Sequence, residues 1–139
     1  MTNQPTIQSL SVNIVVKSIE PSLNFWAAVG FNPVQTVPED GPDGSGPLGF
    51  AIMGAGDQQF MLQSVASIKA DIDIFSGKDL TASPVLLYIR VEDIDTVTKA
   101  LAGYDQAFPK RETFYGATEV GYFTPDGTQV TFAQFQAET

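Results

Sequence analysis

The stretch from Tyr115 to Phe132, YGATEVGYFTPDGTQVTF, predicts a β-hairpin. Pro125 fixes one backbone φ angle, and Asp126 and Gly127 tolerate the left-handed conformation that a short connection between antiparallel strands needs. The residues on both sides of this turn are of the β-branched and aromatic types that favour strands: Val120, Tyr122, Phe123, Val130 and Phe132. The chain therefore closes on two paired strands, and this hairpin guides the interpretation of the segments before it.

Length and composition indicate a single soluble domain. A chain of 139 residues can bury one hydrophobic core but is too short for two ordinary domains. No apolar run approaches the ~18 residues of a membrane helix, and the N-terminal MTNQPTIQS lacks the basic and apolar regions of a secretion signal. We therefore expect a cytoplasmic protein that does not bind membranes.

The charged and reactive residue types narrow the possible functions. The net charge of −9 argues against nucleic acid or an anionic membrane as a partner, although it permits a cationic one. The chain contains no cysteine, which excludes disulfides and thiolate nucleophiles. It also contains no histidine, which is the commonest metal ligand and the side chain that most readily exchanges a proton near neutral pH.

The first half of the chain has the order β-α-β-β-β. Apolar residues alternate along residues 7–17, which predicts a half-buried strand. Ser18 can cap a following helix that has Pro21 in its first turn and ends at Gly30. Three further strands are predicted at residues 31–37, 48–53 and 59–65, and turn-forming residues fill the loop 38–47.

The second half repeats this order. Residues 85–91 form a strand, Glu92 or Asp93 can cap a helix that ends at Gly103, and a short strand near 106–108 precedes the hairpin. We therefore predict one α+β domain, residues 1–139, of two βαβββ modules. Module one spans about 7–65, module two about 84–136, and the linker 66–83 carries a turn or two of helix around residues 70–75.

Three motifs resemble the vicinal oxygen chelate superfamily, which includes glyoxalase I, bleomycin-resistance proteins and extradiol dioxygenases. They are SIEPSLNFWAAVGF at 18–31, VEDIDTVTKALAGY at 91–104 and the closing hairpin. The resemblance covers residues 7–136 and implies paired βαβββ modules that form a curved mixed sheet around a cavity, in a homodimer. It is informative about fold and says little about function, because this scaffold carries several enzyme activities as well as binding proteins.

Enzymes of this superfamily hold a divalent metal with side chains from four strand positions. The resemblance places these positions at Ser11, at Met61 or Gln63, at Leu86 and at Thr131. None is a histidine or a carboxylate, which are the ligands that such a site requires. We therefore expect no metal and no other cofactor.

Strand alternation predicts which other side chains line the cavity. The faces that carry the metal-equivalent positions also carry Asn13, Tyr88 and Arg90, while the opposite faces are more apolar and should meet the helices. Tyr88, Tyr115 and Tyr122 could stack on a planar ligand, although aromatic residues on strands are more often part of the core. The predicted ligand-binding set is Ser11, Asn13, Met61, Gln63, Leu86, Tyr88, Arg90, Tyr115, Tyr122 and Thr131.

Three functions remain open at this point. The first is a metal-free protein that resembles bleomycin-resistance proteins and sequesters a small organic molecule in the sheet cavity. The second is an enzyme of the same superfamily, a lyase, isomerase or dioxygenase, working through a displaced carboxylate site such as Glu112 with Glu119. The third is an interaction or regulatory subunit with a collapsed cavity.

Overall fold

The computed structural model describes residues 10–71 and 85–136, together with residues 4 and 6. Its elements follow the predicted order, and the short helix predicted in the linker begins directly after the fourth strand. The elements are β1 (Asn13–Val16), α1 (Glu20–Ala28), β2 (Asn32–Pro38), β3 (Leu48–Ala55), β4 (Gln58–Ser64), α2 (Val65–Asp71), β5 (Leu86–Arg90), α3 (Ile94–Ala100), β6 (Gln106–Glu112), β7 (Ala117–Phe123) and β8 (Gln129–Phe135).

The strands form two four-stranded sheets of identical topology. Sheet one has the order β1-β4-β3-β2 and sheet two the order β5-β8-β7-β6. In each sheet the first strand pairs in parallel with the last, and the other neighbours are antiparallel. The α+β class and the duplicated βαβββ unit are thus confirmed, and the predicted hairpin is β7 with β8.

The helix ends follow the sequence signals with one exception. Helix α3 begins after Asp93, whose carboxylate accepts a hydrogen bond from the backbone N–H of Asp95 at 3.0 Å, as predicted for a cap. Helix α1 instead follows Ile19, which provides no side-chain cap, while Ser18 reaches the Glu20 side chain. Gly30, just after α1, has a φ of 99°, a conformation that other residues rarely adopt.

Three boundaries differ from the predictions. Strand β1 begins at Asn13, so Ser11 lies outside it, and α2 begins at Val65 rather than near residue 70. The remainder of the predicted linker, 72–83, lies outside the described residues. Strand β6 continues to Glu112, well past the predicted end, because its outer half pairs with β7 through Arg111 and Glu119.

One hydrophobic core joins the two modules. The strand faces predicted to be apolar are buried on the side of the helices: Ile14, Val16, Phe60, Leu62, Val130 and Phe132. Phe25 of α1 packs edge-on against Tyr104 of module two with ring centroids 5.1 Å apart. Across the same junction, Ser22 donates to the Asp126 carboxylate at 3.3 Å. The opposite face of each sheet, called its open face here, points away from this core.

The hairpin turn is held by side-chain hydrogen bonds. Gly127 takes a positive φ of 90°, whereas Asp126 does not. The Asp126 carboxylate instead accepts hydrogen bonds from the Thr124 hydroxyl and the Thr128 backbone N–H.

Among the described residues, no helix combines the length and the apolar character needed to span a membrane.

Candidate binding site

A carboxylate is buried on the open face of sheet two. Glu119 lies in the middle of β7 and only 1% of its surface is exposed. It is paired with Ala133 of β8 on one side and with Arg111 of β6 on the other. Its neighbours in sequence, Thr118 and Val120, point to the opposite face, because successive side chains alternate along a strand.

Three side chains surround this carboxylate and satisfy it completely. The hydroxyls of Tyr88 and Tyr115 each donate to Oε2 at 2.5 Å. Arg111 donates to Oε1 through Nε at 3.1 Å and through Nη2 at 2.8 Å. We call these four residues the Glu119 cluster. It joins β5, β6, β7 and the turn before β7 at one place on the sheet.

The cluster keeps Glu119 ionised. Burial raises the pKa of this carboxyl, but the hydrogen bonds from Tyr115, Tyr88 and Arg111 together outweigh burial and hold the pKa below its usual range. In turn, the hydrogen bond to Glu119 raises the pKa of Arg111. A carboxylate with a lowered pKa and no free lone pair is a poor general base. Glu112 pairs with Thr118 and points away from the cluster, so the predicted partnership of Glu112 with Glu119 does not form.

The Tyr88 hydroxyl should resist ionisation. Burial and the hydrogen bond to Glu119 raise its pKa well above the usual value near 10. We expect absorbance at 295 nm to show a tyrosine that stays protonated at the pH where free phenols titrate, and we assign it to Tyr88. Stability linked to this group is complete below pH ~10 and falls as the pH rises toward the folded-state pKa. A Tyr88→Phe variant that kept this delayed absorbance change would contradict the assignment.

Aromatic rings and both arginines of the chain extend the surface around the cluster. The guanidinium of Arg90 lies 4.1 Å from the centre of the Phe135 ring, and Phe135 in turn neighbours Tyr115 at 6.3 Å. On the other side, the Arg111 guanidinium lies 5.2 Å from the Phe108 ring. Phe108 covers Gly121 so closely that a Cβ atom there would collide with the ring. Arginine and aromatic groups thus form a continuous surface on sheet two.

The structure places five of the predicted ligand-binding residues on this face, namely Leu86, Tyr88, Arg90, Tyr115 and Thr131. Tyr122 does not belong with them, and its inclusion in the predicted set is corrected here. It is 2% exposed, packs against Phe132 in the core, and lies on the helix side because it is one residue out of phase with Gly121.

The predicted residues of module one lie on the open face of sheet one. Asn13 donates through Nδ2 to Gln63 at 2.9 Å, and Gln63 donates to Ser67 at 3.1 Å. Met61 is the strand partner of Asn13, so Met61 and Gln63 share this face. Ser11 is exposed ahead of β1.

Asn13 and Leu86 also line a cleft of about 860 Å³ between the modules. This cleft runs beside β1 and the start of β5 and reaches the hairpin turn at Pro125. It does not include the Glu119 cluster.

The positions that correspond to the superfamily's metal ligands do not fit a divalent cation. They provide a hydroxyl from Ser11 and Thr131, a thioether or an amide from Met61 or Gln63, and an alkyl group from Leu86. Within residues 10–71 and 85–136 there is no group of three or more acidic, histidine or cysteine side chains that could hold a metal elsewhere. No step that needs a bound metal is therefore derived for this chain.

Arg111, Phe108 and Phe135 were missed by the sequence reasoning. The missed signal is the length of β6: a strand that continues through residue 112 places Arg111 opposite Glu119 across an antiparallel pair. Glu119 itself was identified only as a weak candidate for a catalytic base. The structure instead makes it the central acceptor of the cluster.

Solved structures with the same architecture show which fold this is. A glyoxalase/bleomycin resistance protein/dioxygenase from Nocardioides superposes with a TM-score of 0.70 at 16% identity, covering 100% of this chain and 89% of that one. A glyoxalase family protein from Bacillus cereus gives 0.69 at 16% identity, with 99% of both chains covered. The chain has the glyoxalase/bleomycin-resistance fold. This confirms the resemblance seen in the three sequence motifs at the level of fold.

A further structure with the glyoxalase/bleomycin-resistance fold has its ligand bound. It is a bleomycin-binding protein complexed with bleomycin, with a TM-score of 0.59 at 16% identity, covering 94% of this chain and 100% of that one. No family model and no curated protein sequence matches this chain. At such low identity the fold is shared, while the function has to be argued from this chain's own residues.

Proposed function

We propose that this protein binds a small organic molecule on the open face of sheet two, without a metal ion. The observation that carries the proposal is the Glu119 cluster. Burying a carboxylate is costly, and a buried ion pair is often no more stabilising than an apolar pair of similar size. What the cluster does accomplish is to fix two phenol hydroxyls and a guanidinium in defined positions at the protein surface.

The cluster offers a ligand a defined set of interactions. Tyr88 and Tyr115 are each about half exposed, and their hydroxyl protons are directed to Glu119, so their oxygens can accept hydrogen bonds from a ligand. Arg111 uses Nε and one Nη2 hydrogen for Glu119, which leaves its remaining N–H groups as donors. The aromatic rings supply flat apolar area. This combination suits a ligand held by shape and by a few hydrogen bonds.

The bleomycin-binding protein with the same fold supports this function, since it shows that the scaffold can hold an organic molecule. For this chain, the support for binding and sequestration is the Glu119 cluster rather than that likeness. A binding protein of this kind needs no proton transfer, which agrees with a carboxylate that is kept ionised and fully hydrogen-bonded.

A second copy of the chain is part of the proposal. Several large apolar side chains are exposed in the single chain: Leu10, Val12, Val34, Val85, Leu86 and Phe114. Phe114 is fully exposed and stands beside Tyr115, with ring centroids 5.1 Å apart. Val12, Val85 and Leu86 of this group also line the cleft between the modules, so burial against a second copy would remove apolar surface from water there. We propose that a homodimer covers it and closes the open face of sheet two into a cavity.

Native mass spectrometry of gently purified protein tests both parts of the proposal. We expect the mass of a dimer that carries an organic molecule and no metal. The Tyr88→Phe, Tyr115→Phe double variant should lose that molecule. The matched control Tyr104→Phe also removes a hydroxyl but lies in the core contact with Phe25, and it should keep the molecule.

Two results of this experiment would contradict the proposed function. One is a stoichiometric divalent metal in the native complex. The other is an organic molecule that the double variant retains as well as the Tyr104→Phe control does.

A further inference from the structure

The chain has only two arginines, and both lie on the open face of sheet two. The guanidinium of Arg111 is paired with Glu119, so its charge is matched within the cluster. Arg90 makes no ion pair with any residue in the described parts of the chain. Its guanidinium rests over the Phe135 ring, next to Tyr115. Among the described residues, this face therefore presents one positive charge that has no ion-pair partner and lies on an aromatic surface.

Negative charge is almost absent from the sheets, although the chain as a whole is strongly acidic. Of the sixteen acidic residues, the eight strands contain only Glu112 and Glu119. Glu119 is neutralised by Arg111, and Glu112 points to the other side of the sheet. The third basic residue in the strands, Lys110, pairs with Asp95 at 2.6 Å. The described strands thus carry a small net positive charge, and the negative charge of the chain resides in residues outside them, such as Asp126 in the hairpin turn.

The chemical structure of the Arg90 guanidinium also favours an anionic ligand. A guanidinium is a planar fork that binds a carboxylate or phosphate through two parallel hydrogen bonds, and it stacks on aromatic rings. With Phe135 and Tyr115 beside it, Arg90 can engage the anionic group of a flat molecule while the rings contact the remainder. Distant carboxylates oppose this only weakly, because salt screens exposed charges beyond ~8 Å.

From this arrangement we infer that the ligand of the open face is a planar organic anion, an aromatic or conjugated molecule bearing a carboxylate or a phosphate. The inference rests on the proposed function, which it narrows. The acidic composition of the whole chain points the other way, toward a cationic ligand, but composition does not say where the charges lie. On the open face of sheet two, the described charges are Arg90, Arg111 and Glu119, so their net charge is positive.

Calorimetric titration with four probes that share the naphthalene ring tests whether the site prefers a negatively charged ligand. The probes are 2-naphthoate, 2-naphthyl phosphate, neutral 2-naphthamide and cationic 2-naphthylmethylammonium. We expect the better of the two anions to bind at least about tenfold more tightly than the amide, as for one good charge-assisted interaction. The comparison of carboxylate with phosphate shows which anionic group the site prefers. NMR resonances of the Tyr88 and Tyr115 rings report whether binding occurs at the open face.

Two variants that remove the same charge at different places complete the test. Arg90→Gln should abolish the preference for the anions, whereas Lys99→Gln on the exposed end of α3 should keep it. If the amide or the ammonium compound shifts the tyrosine resonances and binds as well as the anions do, the inference is wrong and the proposed function stands. If Arg90→Gln leaves the preference unchanged, the inference is also wrong. If no probe of any charge shifts these resonances, the inference and the proposed function both fall.

Discussion

Replacing Glu119 by Gln lowers the free energy of unfolding by about 3 kcal/mol, since hydrogen bonds to charged groups contribute about 1.5–3 kcal/mol each. The neutral amide removes the charge that pairs with Arg111, and if its oxygen faces Arg111, its N–H₂ group faces the two phenol oxygens, whose hydroxyl protons must then turn away from residue 119. Urea unfolding followed by circular dichroism measures the effect. We also expect the tyrosine rings to lose their fixed positions, which their NMR resonances would show.

Glu112→Gln is the matched control for this substitution. It makes the same chemical change seven residues away, on an exposed position of β6, and should alter stability by less than about 0.5 kcal/mol. Equal effects of the two substitutions would contradict a special role for the buried carboxylate.

The effect of Glu119→Gln should depend on pH, with a sign that follows from the lowered pKa of Glu119. A depressed folded-state pKa contributes stability that is present above the unfolded pKa of ~4.3 and is lost as the pH falls through the folded value. The difference between wild type and variant should therefore shrink when unfolding is measured at successively lower pH below ~4. A difference in free energy that stays constant through this range would show that the partners of Glu119 do not lower the pKa of its carboxyl.

Replacing Trp26 by Ala lowers the free energy of unfolding by about 4 kcal/mol, within the range for large aromatic residues removed from a core. Trp26 is 1% exposed, and its ring contacts Phe25, Phe31 and Phe60 with centroids 5.2, 5.7 and 4.6 Å away. The substitution leaves a cavity where α1 packs on sheet one, and it removes the support of Phe25, which links the modules through Tyr104. Denaturant unfolding measures the change.

Asn24→Ala provides the comparison on the same helix. Asn24 is exposed and directly precedes the two buried aromatic residues Phe25 and Trp26, so this variant should keep wild-type stability within about 0.5 kcal/mol. A Trp26→Ala protein that unfolded at the wild-type denaturant concentration would contradict the proposed role of this aromatic group in the core.

Local patterns predicted most of the elements because their causes are local. The two-residue alternation along β1, β4, β5 and β8 separates a helix-facing from an open face, and burial confirms this separation. Gly30 and Gly127 mark the end of α1 and the hairpin turn through their positive φ angles. The repeat of the same element order in both halves predicted the two modules, and the sheet topologies confirm it.

The errors occurred where tertiary pairing overrides local preference. Strand β6 contains Pro109 and a run of charged residues, which locally argue against a strand, yet pairing with β7 extends it to Glu112. Tyr122 was predicted to stack on a ligand, but it occupies a position of β7 whose side chain faces the core, next to the open-face position of Gly121. Neither result can be derived from a single segment, because each depends on a partner strand.

The amino-acid sequence alone determined that this chain forms two βαβββ modules, and that the positions resembling metal ligands of the vicinal oxygen chelate superfamily hold no histidine or carboxylate. It did so because alternation, turn residues and the chemistry of single side chains are encoded locally. Only the tertiary structure decided that Glu119 is a buried acceptor for two tyrosines and an arginine, and that Arg90 lies over Phe135 on the same face. These contacts join strands that are distant in sequence, so they exist only once the register of sheet two is established.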